Sequence, residues 1–180
     1  MTWGKEYPHQ RLVPYDHSWV IRYSEYEALL KARLGHGWEV EHVGSTSVPG
    51  LLAKPVIDVA IGMPEGASVG EANQCLLAAG WSQLVRVGDH RATVLSDHGV
   101  RAAIGHVFTA SQWPEAHVRL FAAWLRRNDR DRDLYASLKQ DLVTRGVWGS
   151  EYTESKSAFV LRTVNQARAD LGLPAVNHPL

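Results

Sequence analysis

The sequence has almost no cysteine and no surplus of either charge. Its single cysteine, Cys75, excludes an internal disulfide and any zinc cluster built on several thiolates, a usage that suits a reducing cytoplasm. The flanking Leu76 and Leu77 mark Cys75 as a core residue rather than a catalytic thiol. Lys+Arg and Asp+Glu number 19 each, so no overall field draws the chain to nucleic acid or to an anionic membrane, and any phosphate binding has to be local. No apolar run approaches the roughly 20 residues a membrane span requires. Residues 1–14 hold no apolar core of signal-peptide length, and no segment is repetitive or of low complexity. These absences point to a cytoplasmic protein whose partners are small molecules, not nucleic acid or membrane.

What is present is an ordinary globular composition. At 180 residues and 45% apolar content the chain can bury a core without disulfides or a structural metal, so one domain over 1–180 is expected. Trp19, Tyr23, Tyr26, Leu30 and Leu34 recur at helical spacing behind a cap at Asp16 or Ser18, which predicts a first helix ended by Gly35 and Gly37. Strands are predicted over 38–43, 56–61, 81–87, 91–95 and 100–108, with a helix over 69–79 closed by Gly80. The remainder is helical. One helix starts near Ser111 with Pro114 in its first turn, another at Asp129 or Asp131, and a last one runs over about 153–171. A mixed sheet followed by helices is an α+β fold, or α/β with an irregular sheet.

The chemistry concentrates where the first strand enters Gly44-Ser45-Thr46-Ser47. A Gly-Ser turn presents open backbone N–H groups, and three hydroxyls add donors, which together form a cradle for phosphate oxygens; the plain alternative is a tight turn or helix cap. Asp58 lies inside the apolar run Val56-Ile57-Asp58-Val59, where an unpaired carboxylate is costly, so a cation is expected beside it. That cation is either Mg²⁺, which strand carboxylates hold together with substrate phosphates, or the side chain of Lys54 or of an arginine on an adjacent strand. His106, on a later apolar strand, is either an acid-base or ligand group or a hydrogen-bonded core residue. Glu41 and His42 face opposite sides of their strand, and His42 is taken as the one that helps position the ligand. Asp89-His90-Arg91 and Ser96-Asp97-His98 read as turns, and the Arg126–Arg132 run with its interleaved aspartates as a solvated helix junction.

Gly44-Ser45, twelve intervening residues and then Asp58 on an apolar strand resemble the signature of the DNA polymerase β-like nucleotidyltransferases. More closely, Glu41-His42-Val43-Gly44-Ser45-Thr46-Ser47-Val48-Pro49-Gly50-Leu51 with Ala53-Lys54-Pro55-Val56-Ile57-Asp58 resembles the GrpB family of that superfamily. Val13-Pro14-Tyr15-Asp16 and Trp19 before this run extend the similarity, as do Trp113, Phe121, Leu125, Tyr135, Leu138-Lys139, Tyr152-Thr153 and Lys156 after it. The resemblance implies a nucleotidyltransferase-like mixed sheet flanked by helices, with a helical C-terminal part. It also implies Mg²⁺ and a nucleoside triphosphate, ATP foremost, at the turn, and nucleotidyl transfer to a small-molecule acceptor or nucleotide-driven ligation. Ser45, Asp58 and His106 would be the catalytic groups, Asp58 the metal ligand, and His42, Gly44, Ser45, Thr46, Ser47, Lys54, Lys139 and Lys156 the nucleotide-binding set.

The sequence departs from that pattern at three places. Ala60 stands where the superfamily places a second acid, Ile104-Gly105-His106 where the family has a His-x-His pair, and Ala122-Ala123 where it has an Arg-Asp pair. These departures keep two alternatives open. One is a catalytically degenerate or repurposed member that binds a small polar ligand; the other is metal-independent acid-base chemistry by His106, His42 and Asp58 in the same cleft.

Overall fold

Apolar residues on both faces of a central strand require cover on both sides, and the chain supplies it with helices. The computed structural model describes residues 12–178; residues 1–11, part of the segment inspected above for a signal peptide, lie outside the described residues. Among the described residues five strands are formed: β1 (Glu39–Val43), β2 (Ile57–Gly62), β3 (Val85–Val87), β4 (His90–Asp97) and β5 (Val100–Phe108). They lie in the order β1-β2-β5-β4-β3, and β2 and β5 form the parallel pair in an otherwise antiparallel sheet. A parallel pair needs a long crossover, here helix α2 (Val69–Ala78) followed by the β3-β4 hairpin. Ser68 and Glu71 start α2 with a reciprocal capping box.

The register sorts the side chains. Ile57, Val59 and Ile61 share a face with Ala103 and Val107 and pack against α1 (Ser18–Leu34) and α2 through Trp19, Leu30, Leu34, Leu76 and Trp81. Cys75 is only partly buried against this cluster, because of its two flanks Leu76 is buried and Leu77 is exposed. Asp58, Ala60 and Gly62 lie on the other face with Ile104, His106 and Phe108. That face is met by α3 (His117–Arg127), followed by α4 (Asp129–Thr144) and α5 (Gly149–Asp170). Val43, Ala60, Phe108, Ala116 and Ala122 close one apolar cluster there. Val48 and Leu51, just past the Gly-Ser turn, join Phe121, Leu125, Tyr135 and Val164 in another, which fastens the turn to the helical layer. No helix among the described residues is long and apolar enough to cross a membrane.

Three boundaries differ from the sequence expectation. Of the segment 81–87 only Val85–Val87 is a strand; Trp81 makes an isolated bridge to Leu95, and the Ser82 N–H donates to Val94 O at 2.8 Å. The helix expected near Ser111 is a single 3-10 turn over Trp113–Glu115, and extended backbone at Ala116 (ψ 114°) separates it from α3. The last helix begins earlier than expected, at Gly149.

Candidate functional site

The site begins where β1 runs into the turn. Gly44 has φ +68°, and a Cβ there would lie 2.1 Å from Asp58 Oδ2, so only glycine lets the turn pass against the carboxylate. Val43 pairs with Asp58 across the β1-β2 ladder, which sets that contact. Ser45–Ser47 then coil into one 3-10 turn. The Ser47 hydroxyl donates to Gly44 O at 2.8 Å, and Thr46 is buried with its Oγ1 3.0 Å from His42 Nε2.

The helical layer delivers the cations. Lys139 of α4 is only 2% exposed; its ammonium donates to Ser45 Oγ at 3.0 Å and to Leu52 O, and lies 4.7 Å from the centroid of the Tyr135 ring, one turn earlier. Lys54 and Lys156 place their ammoniums 4.2 Å from the centroid of the Tyr152 ring. Burial and then Lys156 push the Lys139 ammonium down to about 7, while Asp58 pulls it back up. Lys156 is lowered to about 8 by burial and by Lys54, again opposed by Asp58. Lys54 is lowered by burial and by Arg101. Lys54 and Lys156 thus lower their neighbours' ammoniums, and Asp58 opposes them.

Together these groups line a cleft of about 310 Å³ that includes Ser45, Thr46, Lys54, Asp58, Arg101, His106, Lys139 and Lys156. His106 Nε2 lies 3.7 Å from Asp58 Oδ1, and His106 Nδ1 lies 3.1 Å from His90 Nε2. Asp58 is the carboxylate of this lining. One carboxylate suits one Mg²⁺ that completes its shell with water and phosphate oxygens. The donor set does not suit a pair of ions, because the second acid is replaced by Ala60, fully buried among Val43, Phe108 and Ala122.

Of the residues singled out in the sequence, Ser45, Thr46, Lys54, Asp58, His106, Lys139 and Lys156 meet in this cleft, and Gly44 forms its floor against Asp58. His42 is a correction. Its register partner is Val59, not Asp58, so it faces the α1 side, where it stacks on Tyr23 at 4.6 Å and supports Thr46 from behind. Ser47 likewise spends its hydroxyl on the turn itself. Glu41, on the cleft side of β1, is engaged by Arg119 at 2.5 Å and Arg126 at 3.7 Å, and Arg126 also holds the carbonyls of His42 and Ser47. The arginine run is therefore partly a clamp between α3 and the turn. Sequence reasoning missed Arg101, which strict alternation on β5 groups with Ala103 rather than Ile104 and which lines the cleft beside the register shift from Leu95↔Ala103 to Ser96↔Arg101, and His90, taken for a turn residue but buried at the start of β4.

The comparisons agree with this geometry. The profile of the family described as GrpB protein matches residues 9–166. A UPF0157 protein of Streptomyces coelicolor is 32% identical over 160 residues, covering 88% of this chain and 84% of that protein. The crystal structure of the conserved protein GrpB from Enterococcus faecalis superposes with a TM-score of 0.77 at 23% identity, over 90% of this chain and 99% of that one. A structure of the GLD-2/RNP-8 complex shares the fold more distantly, with a TM-score of 0.53 and 11% identity over 87% of this chain and 57% of that one. The five-stranded mixed sheet with helices on both faces is thus the nucleotidyltransferase-like fold. The chain belongs to the GrpB protein family.

Proposed function

We propose that the cleft binds a nucleoside triphosphate with one Mg²⁺ on Asp58 and transfers its nucleotidyl group to a small-molecule acceptor. The observation that carries this is the convergence of Lys54, Arg101, Lys139 and Lys156 on the Ser45-Thr46 turn and Asp58, the one carboxylate among the described lining residues. A polyphosphate is the anion such a set of cations binds. Mg²⁺, when bound, would neutralise charge on the transferring phosphate. Lys139 and the turn hold the terminal phosphates through Ser45, and Lys54 and Lys156 lie over Tyr152 on the opposite wall. His106 accepts the proton of the acceptor hydroxyl as its oxygen bonds the α-phosphorus and the bond to pyrophosphate breaks.

Calorimetry with ATP, GTP, CTP and UTP, with and without Mg²⁺, tests the binding step, and pyrophosphate release tests turnover. Metal-dependent binding that is lost in Asp58→Asn supports the proposal; equal affinity in Asp58→Asn removes the metal assignment. A second reading, a degenerate member that binds a phosphorylated ligand without transferring it, is favoured by one feature. Ala60 and Ala122, where the family pattern carries polar groups, pack against each other in an apolar cluster, so the loss is accommodated rather than left as a hole. Tight binding without pyrophosphate release selects this second reading.

A further inference from the structure

Behind His106, away from the cleft, lies a second group of metal-ligating side chains. Asp89, His90 and His117 each offer a ligand atom, and these atoms lie within 4.8 Å of one another. His90 is 2% exposed and His117 8%. The Nε2 of His117 is buried with no hydrogen-bond partner among the described residues, which is costly unless something unseen occupies it. Phe108 walls the group, stacking on His90 at 4.8 Å and meeting His117 edge-on at 5.8 Å. The Gln112 side-chain amide donates to Asp89 O at 2.7 Å and fixes the loop that carries the carboxylate.

We propose that Asp89, His90 and His117 bind one divalent transition-metal ion of the zinc type. Two imidazoles and a carboxylate are the ligand set such ions prefer, whereas Mg²⁺ takes oxygen. His90 Nε2 is already engaged with His106, which leaves Nδ1, 3.2 Å from Asp89 Oδ1, for the metal. Neighbouring ligand atoms of a tetrahedral zinc lie about 3.3 Å apart. The Asp89–His90 pair is thus already at that spacing, and Asp89, whose side chain is 63% exposed, can close on His117. Asp89 and His117 also line a cavity of about 280 Å³ with Glu115 and His178, through which an ion enters and a water reaches the fourth position.

The test uses tag-free full-length protein, stripped with a chelator and dialysed against Zn²⁺ without nucleotide, with metal content measured by mass spectrometry. A parallel titration with Co²⁺ is read in its visible absorption. One ion per chain and a four-coordinate Co²⁺ spectrum are expected in the wild type, and also in Asp58→Asn and His98→Gln. His117→Gln and Asp89→Asn should each weaken binding at least about 10-fold. Asp89 is exposed, so its variant keeps the experiment decisive if the buried His117→Gln does not fold. Absence of a bound ion in the wild type, or unchanged affinity in Asp89→Asn, overturns the proposal. Neither result touches the nucleotide reading, because no nucleotide is present and Asp58 serves only as a control.

Discussion

At Gly44 the backbone comes so close to Asp58 that the two positions act as one unit. The backbone there (φ +68°, ψ −173°) belongs to a region open essentially to glycine alone. Gly44→Ala should lose about 1–3 kcal/mol of stability in urea unfolding and, by displacing the Asp58 carboxylate, the Mg²⁺-dependent part of triphosphate binding. Gly50→Ala, at φ +77° with nothing within 4 Å, should cost stability alone and leave binding intact. Lys139 makes a prediction of a different kind. Its folded ammonium titrates at about 7, against about 10.4 for an unfolded lysine. Between those values the unfolded chain binds more protons, so stability should rise as pH climbs through that window, and Lys139→Met should flatten the rise in urea midpoints. Triphosphate affinity should run the other way, weakening above pH 7 as Lys139 and then Lys156 lose charge, and calorimetry across the same range reads it.

At the scale of elements, strand β1 divides its labour between two layers, and His42 reports on the layer away from the cleft. Burial and then Arg126 hold its imidazole down at about 4, with Asp58 opposing. An unfolded histidine titrates near 6.5, so the stabilisation is complete above that value and is lost as pH falls toward 4. His42→Gln should reduce this acid sensitivity, cost on the order of 1 kcal/mol at pH 7 through the lost contact with Thr46, and leave nucleotide affinity unchanged. Urea melts at pH 7 and pH 5 with one calorimetric titration check all three outcomes. The same strand shows what the sequence could and could not convey. Period-two alternation located β1, β2 and β5 nearly to the residue, and it fixed that Glu41 and His42 oppose each other. It carried no sign for which of them shared a face with Asp58, because that depends on the register with β2. His90 was hidden for a related reason: turn chemistry at Gly88 and Asp89 is local, whereas burial of the next residue follows from β5 and α3 closing over it. Arg101 lacked any local signal of a pocket, since an arginine on an edge of alternation reads as solvent-facing. The lysines of α4 and α5 were found through family resemblance; helical periodicity alone treats both as surface residues.

The whole molecule is electrically neutral, yet the described residues of its cleft bring four cationic side chains around one carboxylate. Since Lys+Arg and Asp+Glu number 19 each, the compensating negative charge lies on acids outside this lining. A ligand at the cleft would therefore touch β2, β5, the turn, α4 and α5 at once, joining the sheet to the helical layer that Val48 and Leu51 already fasten to it. Binding of this kind stabilises the folded state as a whole rather than one segment. Mg²⁺ and ATP at about 100 times the dissociation constant should add about 2.7 kcal/mol, seen in calorimetry as a shift of the entire unfolding transition. Asp58→Asn should retain only the metal-independent share, and Lys139→Met, which removes the charge that ties the turn to α4, should lose most of the shift with or without Mg²⁺. High salt should diminish the effect less than it would for an exposed patch, because Lys139 is almost wholly buried. A ligand-induced shift confined to part of a split transition would mean that the sheet and the helices respond separately, and a site assembled from both could not then be what holds the triphosphate.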